Sequence, residues 1–297
     1  MNSAREDAIS LQERFSAYVS LSKPDVTFLV IMTTVAGFYV GSRGPLDWAL
    51  LAHTLLGTTL VAAGTAGLNH YIERDSDAEM RRTASRPLPS GLIRPAEALA
   101  FGALLIVAGG AYLALLSNLL AAFLALLTSA LYLGVYTPLK KRTPLATVIG
   151  AFPGAIPPLI GWAAARGSLD LGAWILFGIL FFWQFPHFLA IAWMYREDYA
   201  RAGIQMLPVV EPKGDRTYRQ IVATAAILVP MSLLPSVIGI AGIGYFFGAF
   251  VLGMALLQVC MWADRERTNV RAKWLMHATV IHIPLLLGLM IVDRTAR

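Results

Sequence analysis

Two stretches of this chain are apolar and uncharged for longer than one membrane-crossing helix needs. Ala98 to Leu139 carries no charged side chain, and neither does Ile221 to Trp262. A helix rises ~1.5 Å per residue and about 20 apolar residues cross a bilayer, so each stretch makes two spans joined by a tight turn. The turns belong at Ser117-Asn118 and at Gly239-Ile240-Ala241-Gly242, where small and turn-forming residues cluster. The same criterion gives nine spans: 25–43, 48–72, 96–116, 118–138, 144–164, 171–195, 217–238, 243–263 and 274–292. The chain is 57% hydrophobic and 14% charged, with a mean hydropathy of +0.62. The predicted fold is all-α. It is a polytopic membrane protein with nine transmembrane helices around a central cavity, a single domain over 1–297 with a cytoplasmic N-terminal segment at 1–23.

Charge orients that arrangement. With the N-terminus inside, only Arg43, Arg166, Arg294 and Arg297 of the 24 basic residues fall in outside segments. The rest lie inside, as the positive-inside rule requires. The net charge of +6 is therefore explained by cytoplasmic loops, and no nucleic-acid binding is expected. Cys260 is the only cysteine, which excludes intrachain disulfides and paired-cysteine metal sites. The segment before Pro24 is polar and contains Glu6, Asp7 and Glu13, unlike a signal or transit peptide. These features predict a multi-pass protein of a bacterial inner (plasma) membrane, with its active site facing the cytoplasm.

The second span runs into a charged end. Asn69, Glu73 and Asp77 recur every four residues and so share one helix face. Three oxygen-bearing side chains on one face suit Mg²⁺, which takes a few carboxylates together with substrate phosphates. The plain alternative is a solvated helix end. Against it, acids at a membrane are costly and tend to be functional. A basic burst of Arg81, Arg82 and Arg86 also follows, and arginine grips phosphate oxygens in pairs. The sixth span ends in a second acidic cluster, Trp193 to Arg201, with Glu197 and Asp198. Glu73-Arg74-Asp75 can be laid against Tyr195-Arg196-Glu197, and both clusters run on to a proline, Pro87 and Pro208. A weak internal duplication would bring both helix ends around one cavity. Between them, Lys140 or Lys141 reaches a phosphate or merely anchors the helix at the interface.

These motifs resemble the UbiA superfamily of intramembrane prenyltransferases, and the nine-span layout extends the likeness over the whole chain. Further stretches resemble the branch of that superfamily that farnesylates protohaem IX. They are Leu21 to Pro24, Met80 to Leu88, Tyr136 to Lys140, Gly154 to Trp162, Trp183 to Phe188, and Tyr195 to Tyr199 followed by Met206-Leu207-Pro208. The wider superfamily has aspartates where Tyr195 and Tyr199 stand here. Whether Glu197 and Asp198 bind a metal of their own therefore stays open.

The resemblance implies transfer of a farnesyl group from farnesyl diphosphate to a vinyl group of haem b, giving haem O for terminal oxidases. Mg²⁺ would be held by Asn69, Glu73 and Asp77, with Glu197 and Asp198 as a second candidate set. Arg82, Arg86, Lys140 and Arg201 would contact the diphosphate, with Lys23 as a weaker contact. His187 is the candidate haem-iron ligand, since imidazole commonly fills that role. It lies eleven residues before Asp198, on the same face of a continuous helix and ~16 Å deeper. Trp183 and Tyr195 would line the same pocket. Gly154, Pro157, Pro158 and Gly161 would allow a kink and a close helix approach. The implied partners are haem b, farnesyl diphosphate, the lipid bilayer and a later haem-modifying enzyme. A related prenyltransferase acting on a quinone precursor, a haem carrier and a transporter are the alternatives. A transporter would place its charges at mid-membrane, whereas these lie at helix ends.

Overall fold

A computed structural model describes residues 10–295; Arg5, Glu6, Asp7 and Arg297 lie outside that range. Among the described residues, nine helices are long and apolar enough to cross a membrane. A short helix α1 (Leu11–Leu21) precedes them. The spans are α2 (Pro24–Gly41), α3 (Trp48–Glu79), α4 (Pro95–Leu116), α5 (Leu119–Leu139), α6 (Ala146–Arg166) and α7 (Leu171–Met194). A short helix α8 (Arg196–Arg201) follows, then the spans α9 (Asp215–Val237), α10 (Ile243–Arg265) and α11 (Asn269–Val292).

Both expected turns are present. Asn118 caps α5, its side chain accepting from the Ala121 N–H at 2.8 Å and donating to the Ala163 carbonyl at 2.8 Å. At the other turn Gly239 takes a left-handed conformation (φ 72°), and the Asp293 carboxylate accepts from the Tyr245 N–H at the start of α10. The expected limits differ most at α3, which continues past 72 to Glu79, and at α11, which begins at Asn269, before 274. Apolarity marks where a helix leaves the hydrocarbon. The hydrogen-bonded backbone continues through polar residues into the interface.

Inside a bilayer, apolar side chains gain nothing by leaving lipid, so helices associate where small residues let backbones approach. On α2, a methyl group on Gly37 would lie 2.0 Å from the Pro158 carbonyl oxygen of α6; on Gly161 it would lie 1.9 Å from the Thr34 oxygen of α2. Gly64 and Gly102 bring α3 and α4 together in the same way. Large side chains fill the remaining interior, with Trp162, Trp183, Tyr218 and Tyr245 fully buried. Leu104, Val107, Phe123, Phe247 and Val251 face outward, as expected of a lipid-exposed surface.

Two spans are irregular. α6 is interrupted at Ile156, between Ala146–Ala155 and Pro157–Arg166, where proline lacks an N–H for the preceding turn. α5 switches to a π-helical turn over Leu131–Tyr136 before Thr137–Leu139.

Candidate active site

The spacing of four on α3 does what helical geometry dictates. Asn69, Glu73 and Asp77 lie along one face, and Asn69 and Asp77 are completely buried. Each meets a cation from a different element. Lys23 Nζ donates to Asn69 Oδ1 at 2.6 Å. Lys140 Nζ donates to Glu73 Oε1 at 2.6 Å. Arg86 Nη1 donates to both Asp77 carboxylate oxygens at 2.9 and 2.8 Å. A buried carboxylate without a partner is strongly destabilising, so this pairing makes two acids tolerable at the end of a membrane helix.

Local structure aims each cation. Lys23, between α1 and α2, has a left-handed backbone (φ 45°) that a non-glycine residue seldom adopts. Arg86 lies on the turn after α3, which is tied back by Thr83 donating its hydroxyl proton to the Asp77 carbonyl at 2.9 Å. Lys140 follows the π-turn, with its ammonium 4.5 Å from the Tyr136 ring centre and 5.8 Å from that of Tyr132. π-turns are frequent at functional sites. Burial, then the Arg86 cation, pushes the Lys23 amine down to about 7, against the pull of Glu73. Burial also lowers Lys140, but Glu73 beside it, helped by Tyr136 and Tyr132, outweighs that and holds it well above the usual lysine value.

The second cluster adjoins the first through the segment after α3. The Arg82 N–H donates to Asp198 Oδ2 at 3.2 Å, and its guanidinium lies 4.8 Å from the Tyr195 ring centre. Asp198 also pairs with Arg201. Met80 is buried against Ala192, Ala202, Ile204 and Met206, which locks this segment to the end of α7. An open cleft of about 420 Å³ is lined by Arg81, Arg82, Met194, Tyr195, Glu197 and Asp198. Within five residues of chain, Arg82 thus reaches one acidic cluster and Arg86 the other.

One expectation is corrected. His187 and Asp198 do not share a continuous helix: α7 stops at Met194, Tyr195 leaves helical geometry (φ −107°, ψ 19°), and Asp198 belongs to α8. The common-face estimate therefore fails. His187 packs toward α11, its Nδ1 2.8 Å from Thr279 Oγ1 and its ring stacked on Trp183. Trp183 is buried and donates from Nε1 to the Thr279 carbonyl at 2.9 Å. Both residues hold α7 against α11, away from the paired charges.

Some contributors had no assigned role in the sequence reading. Thr137 accepts from Asn69 Nδ2 at 3.2 Å, and Tyr132 and Tyr136 flank Lys140. Tyr132, Tyr136 and Lys140 repeat the spacing of four found in the acidic motif, which was the available signal.

The fold and this charged helix end define an intramembrane prenyltransferase: residues 30–281 match the model of the UbiA prenyltransferase family, and the chain belongs to that family. Among its relatives is the protoheme IX farnesyltransferase of Solibacter usitatus, 49% identical over 93% of this chain and 98% of the relative. The protoheme IX farnesyltransferase of Koribacter versatilis is 48% identical over 94% and 93% of the two chains. That of Salinibacter ruber is 48% identical over 93% and 98%. Solved structures share the fold. A digeranylgeranylglyceryl phosphate synthase superposes with a TM-score of 0.78 at 20% identity, covering 95% of this chain and 98% of the other. A UbiA homologue from Archaeoglobus fulgidus bound to GPP and Mg²⁺ gives 0.67 at 18% identity, covering 92% and 99%.

Proposed function

We propose that this chain transfers the farnesyl group of farnesyl diphosphate to a vinyl group of protohaem IX, making haem O for terminal oxidases. The observation that carries the reading is 48–49% identity, over nearly the whole chain, to enzymes named for that reaction. The charged site supplies the chemistry. Lys23, Lys140 and Arg86 converge on one helix face, and Arg82 and Arg201 stand beside the cleft.

The donor set of the first cluster fits Mg²⁺. It consists of oxygen atoms only, and Mg²⁺ needs just one or two carboxylates when substrate phosphates and water complete its shell. Asn69, Glu73 and Asp77 would hold it, with Glu197 and Asp198 offering a second set at the cleft. Bound there, the metal supplies charge neutralisation to the departing diphosphate. The basic side chains perform the same service from the protein. Lys140 and Arg86, now paired with Glu73 and Asp77, would share their donors with the phosphate oxygens of such an anion. When the allylic C–O bond breaks, its electron pair leaves with the diphosphate, and preorganised cations lower that barrier. The vinyl carbon attacks the allylic cation. Water then captures the new cation and loses a proton, leaving a hydroxyl. The apolar bundle below the site keeps water from the first cation.

His187 would present Nε2 to the haem iron while Thr279 fixes Nδ1, the arrangement that orients a metal-binding imidazole. Tyr195 would border the porphyrin, whereas Trp183, buried against α11, is corrected to a residue that backs the His187 ring. The reading also includes a bacterial inner membrane, a site facing the cytoplasm, and haem O passing to a later haem-modifying enzyme.

Turnover of purified protein with haem b, farnesyl diphosphate and Mg²⁺, read by mass spectrometry, tests this. A farnesylated, hydroxylated haem is expected. It should fall by at least ~100-fold, the scale of lost transition-state charge stabilisation, in Asp77→Ala and in EDTA. Haem b returned unchanged by folded protein would refute the haem assignment, while transfer to a quinone precursor would keep the prenyl transfer.

A further inference from the structure

Helix α1 has three distinct faces. At ~100° per residue, Ala17, Leu21, Arg14 and Tyr18 occupy one side, Leu11, Phe15 and Val19 the next, and Gln12, Ser16 and Ser20 the third. The first side is packed on protein. Ala17 and Leu21 are buried against Leu88, Ile93 and Ala98. Arg14 pairs with Glu97 at 2.8 Å, and the Tyr18 ring lies 5.1 Å from that of Phe101. The second side is apolar and open: Leu11 is 88% exposed, Phe15 72% and Val19 43%. The third side is polar and exposed.

The partners of the packed side fix the level of α1 in the bilayer. Glu97, Ala98 and Phe101 form the first two turns of α4, which is a membrane span. A helix docked at that level cannot turn an apolar face to bulk water without meeting lipid. Exposed apolar residues also follow at the start of the next helix. α2 begins three residues after α1 ends, and its Val26 and Phe28 are 57% and 70% exposed on a span that faces the bilayer.

We infer that α1 is an interfacial helix seated in the boundary between phospholipid headgroups and acyl chains. Leu11, Phe15 and Val19 enter the acyl side, and Gln12, Ser16 and Ser20 face the headgroup water. Helices of this kind bury an apolar face ~5–10 Å into that boundary. Helix α1 is thus a membrane-bound element and not part of a free cytoplasmic tail. Its C-terminal end leads directly to Lys23, so the seat of α1 in lipid helps set where that amine stands. This placement is independent of the identity of the prenyl acceptor.

Nitroxide labels test it in the full chain reconstituted in phosphatidylcholine vesicles. Single cysteines replace Leu11, Phe15 or Val19, and separately Gln12, Ser16 or Ser20; all are exposed, so folding is not at risk. Native Cys260 is fully buried, and the unsubstituted chain treated with label serves as the blank. Relaxation by oxygen, which partitions into acyl chains, is compared with relaxation by a water-soluble nickel chelate. The oxygen-to-nickel ratio should be several-fold higher at the three apolar positions than at the three polar ones. Equal ratios on both faces would put α1 in water and overturn the inference. Low access to both reagents at Leu11, Phe15 and Val19 would mean that protein covers the face, and would overturn it as well.

Discussion

At the scale of single residues, Glu73 and Asp77 are matched by Lys140 and Arg86, whereas Lys23 donates to the neutral Asn69 amide and its protonation changes near neutral pH. Its amine titrates at about 7 because burial and the Arg86 cation disfavour the charged form, whereas an ordinary lysine stays charged to about 10.5. Between those values the unfolded chain binds a proton that the fold refuses, so this residue's contribution to stability improves as pH rises from about 7 towards 10.5. With Lys23 as a diphosphate contact, as proposed, substrate binding has the opposite preference, since it would need the cation. The expected outcome is that kcat/KM for farnesyl diphosphate, which reports free-enzyme ionisations, falls as pH rises above about 7. Lys23→Arg keeps its charge and should flatten that limb. An unchanged limb in Lys23→Arg would assign it to another group. The sequence made the acidic face legible, because Asn69, Glu73 and Asp77 follow from the pitch of one helix. It marked Lys23, Arg86 and Lys140 as candidates by charge type alone. Their pairings were hidden, because Lys23 and Lys140 reach α3 from 46 and 67 residues away in the chain.

At the scale of elements, the spans were legible because hydrocarbon thickness fixes their length, and the turns because Asn118 and Gly239 supply the caps they need. The π-turn in α5 and the break after Met194 were not. Both are one-residue changes of pitch that composition does not encode, and the second undid the expected alignment of His187 with Asp198. What holds the elements together is close backbone approach. Gly37 and Gly161 both sit where α2 and α6 touch, and a methyl group at either would overlap a carbonyl oxygen of the other helix. Gly37→Ala and Gly161→Ala should each destabilise by ~1–3 kcal/mol, the usual cost of overpacking. The double variant should cost less than the sum, since one substitution already parts the helices that the other would part. Gly134→Ala, whose added methyl meets no side chain or neighbouring helix within 4 Å, should not destabilise and should gain up to ~1 kcal/mol from the lost backbone freedom of glycine. Thermal unfolding in detergent reads all four proteins. Strict additivity would place the two glycines in separate contacts.

At the scale of the whole molecule, both acidic clusters lie at one end of the bundle, and charge asymmetry supports the proposal that this end faces the cytoplasm. Lys23, Arg82, Arg86, Lys140 and Arg201 all belong to the segments that the positive-inside rule assigns to the cytoplasm. The opposite end carries Arg166 and Arg294, which donate to the carbonyls of Gly41, the last residue of α2, and of Ser42, its cap. Those two arginines therefore have structural partners, while the basic residues at the site end exceed what the acids there can pair. A diphosphate made in the cytoplasm would meet this excess without crossing the membrane. Orientation can be read directly, because Cys260 is buried and should be silent to reagents. Ser85 and Ser168 are exposed at opposite ends of the bundle. Ser85→Cys should react with a membrane-impermeant maleimide only in inverted vesicles, and Ser168→Cys only in intact spheroplasts. The reverse pattern would turn the site to the periplasm, and the farnesyl diphosphate supply would then have to be explained by transport.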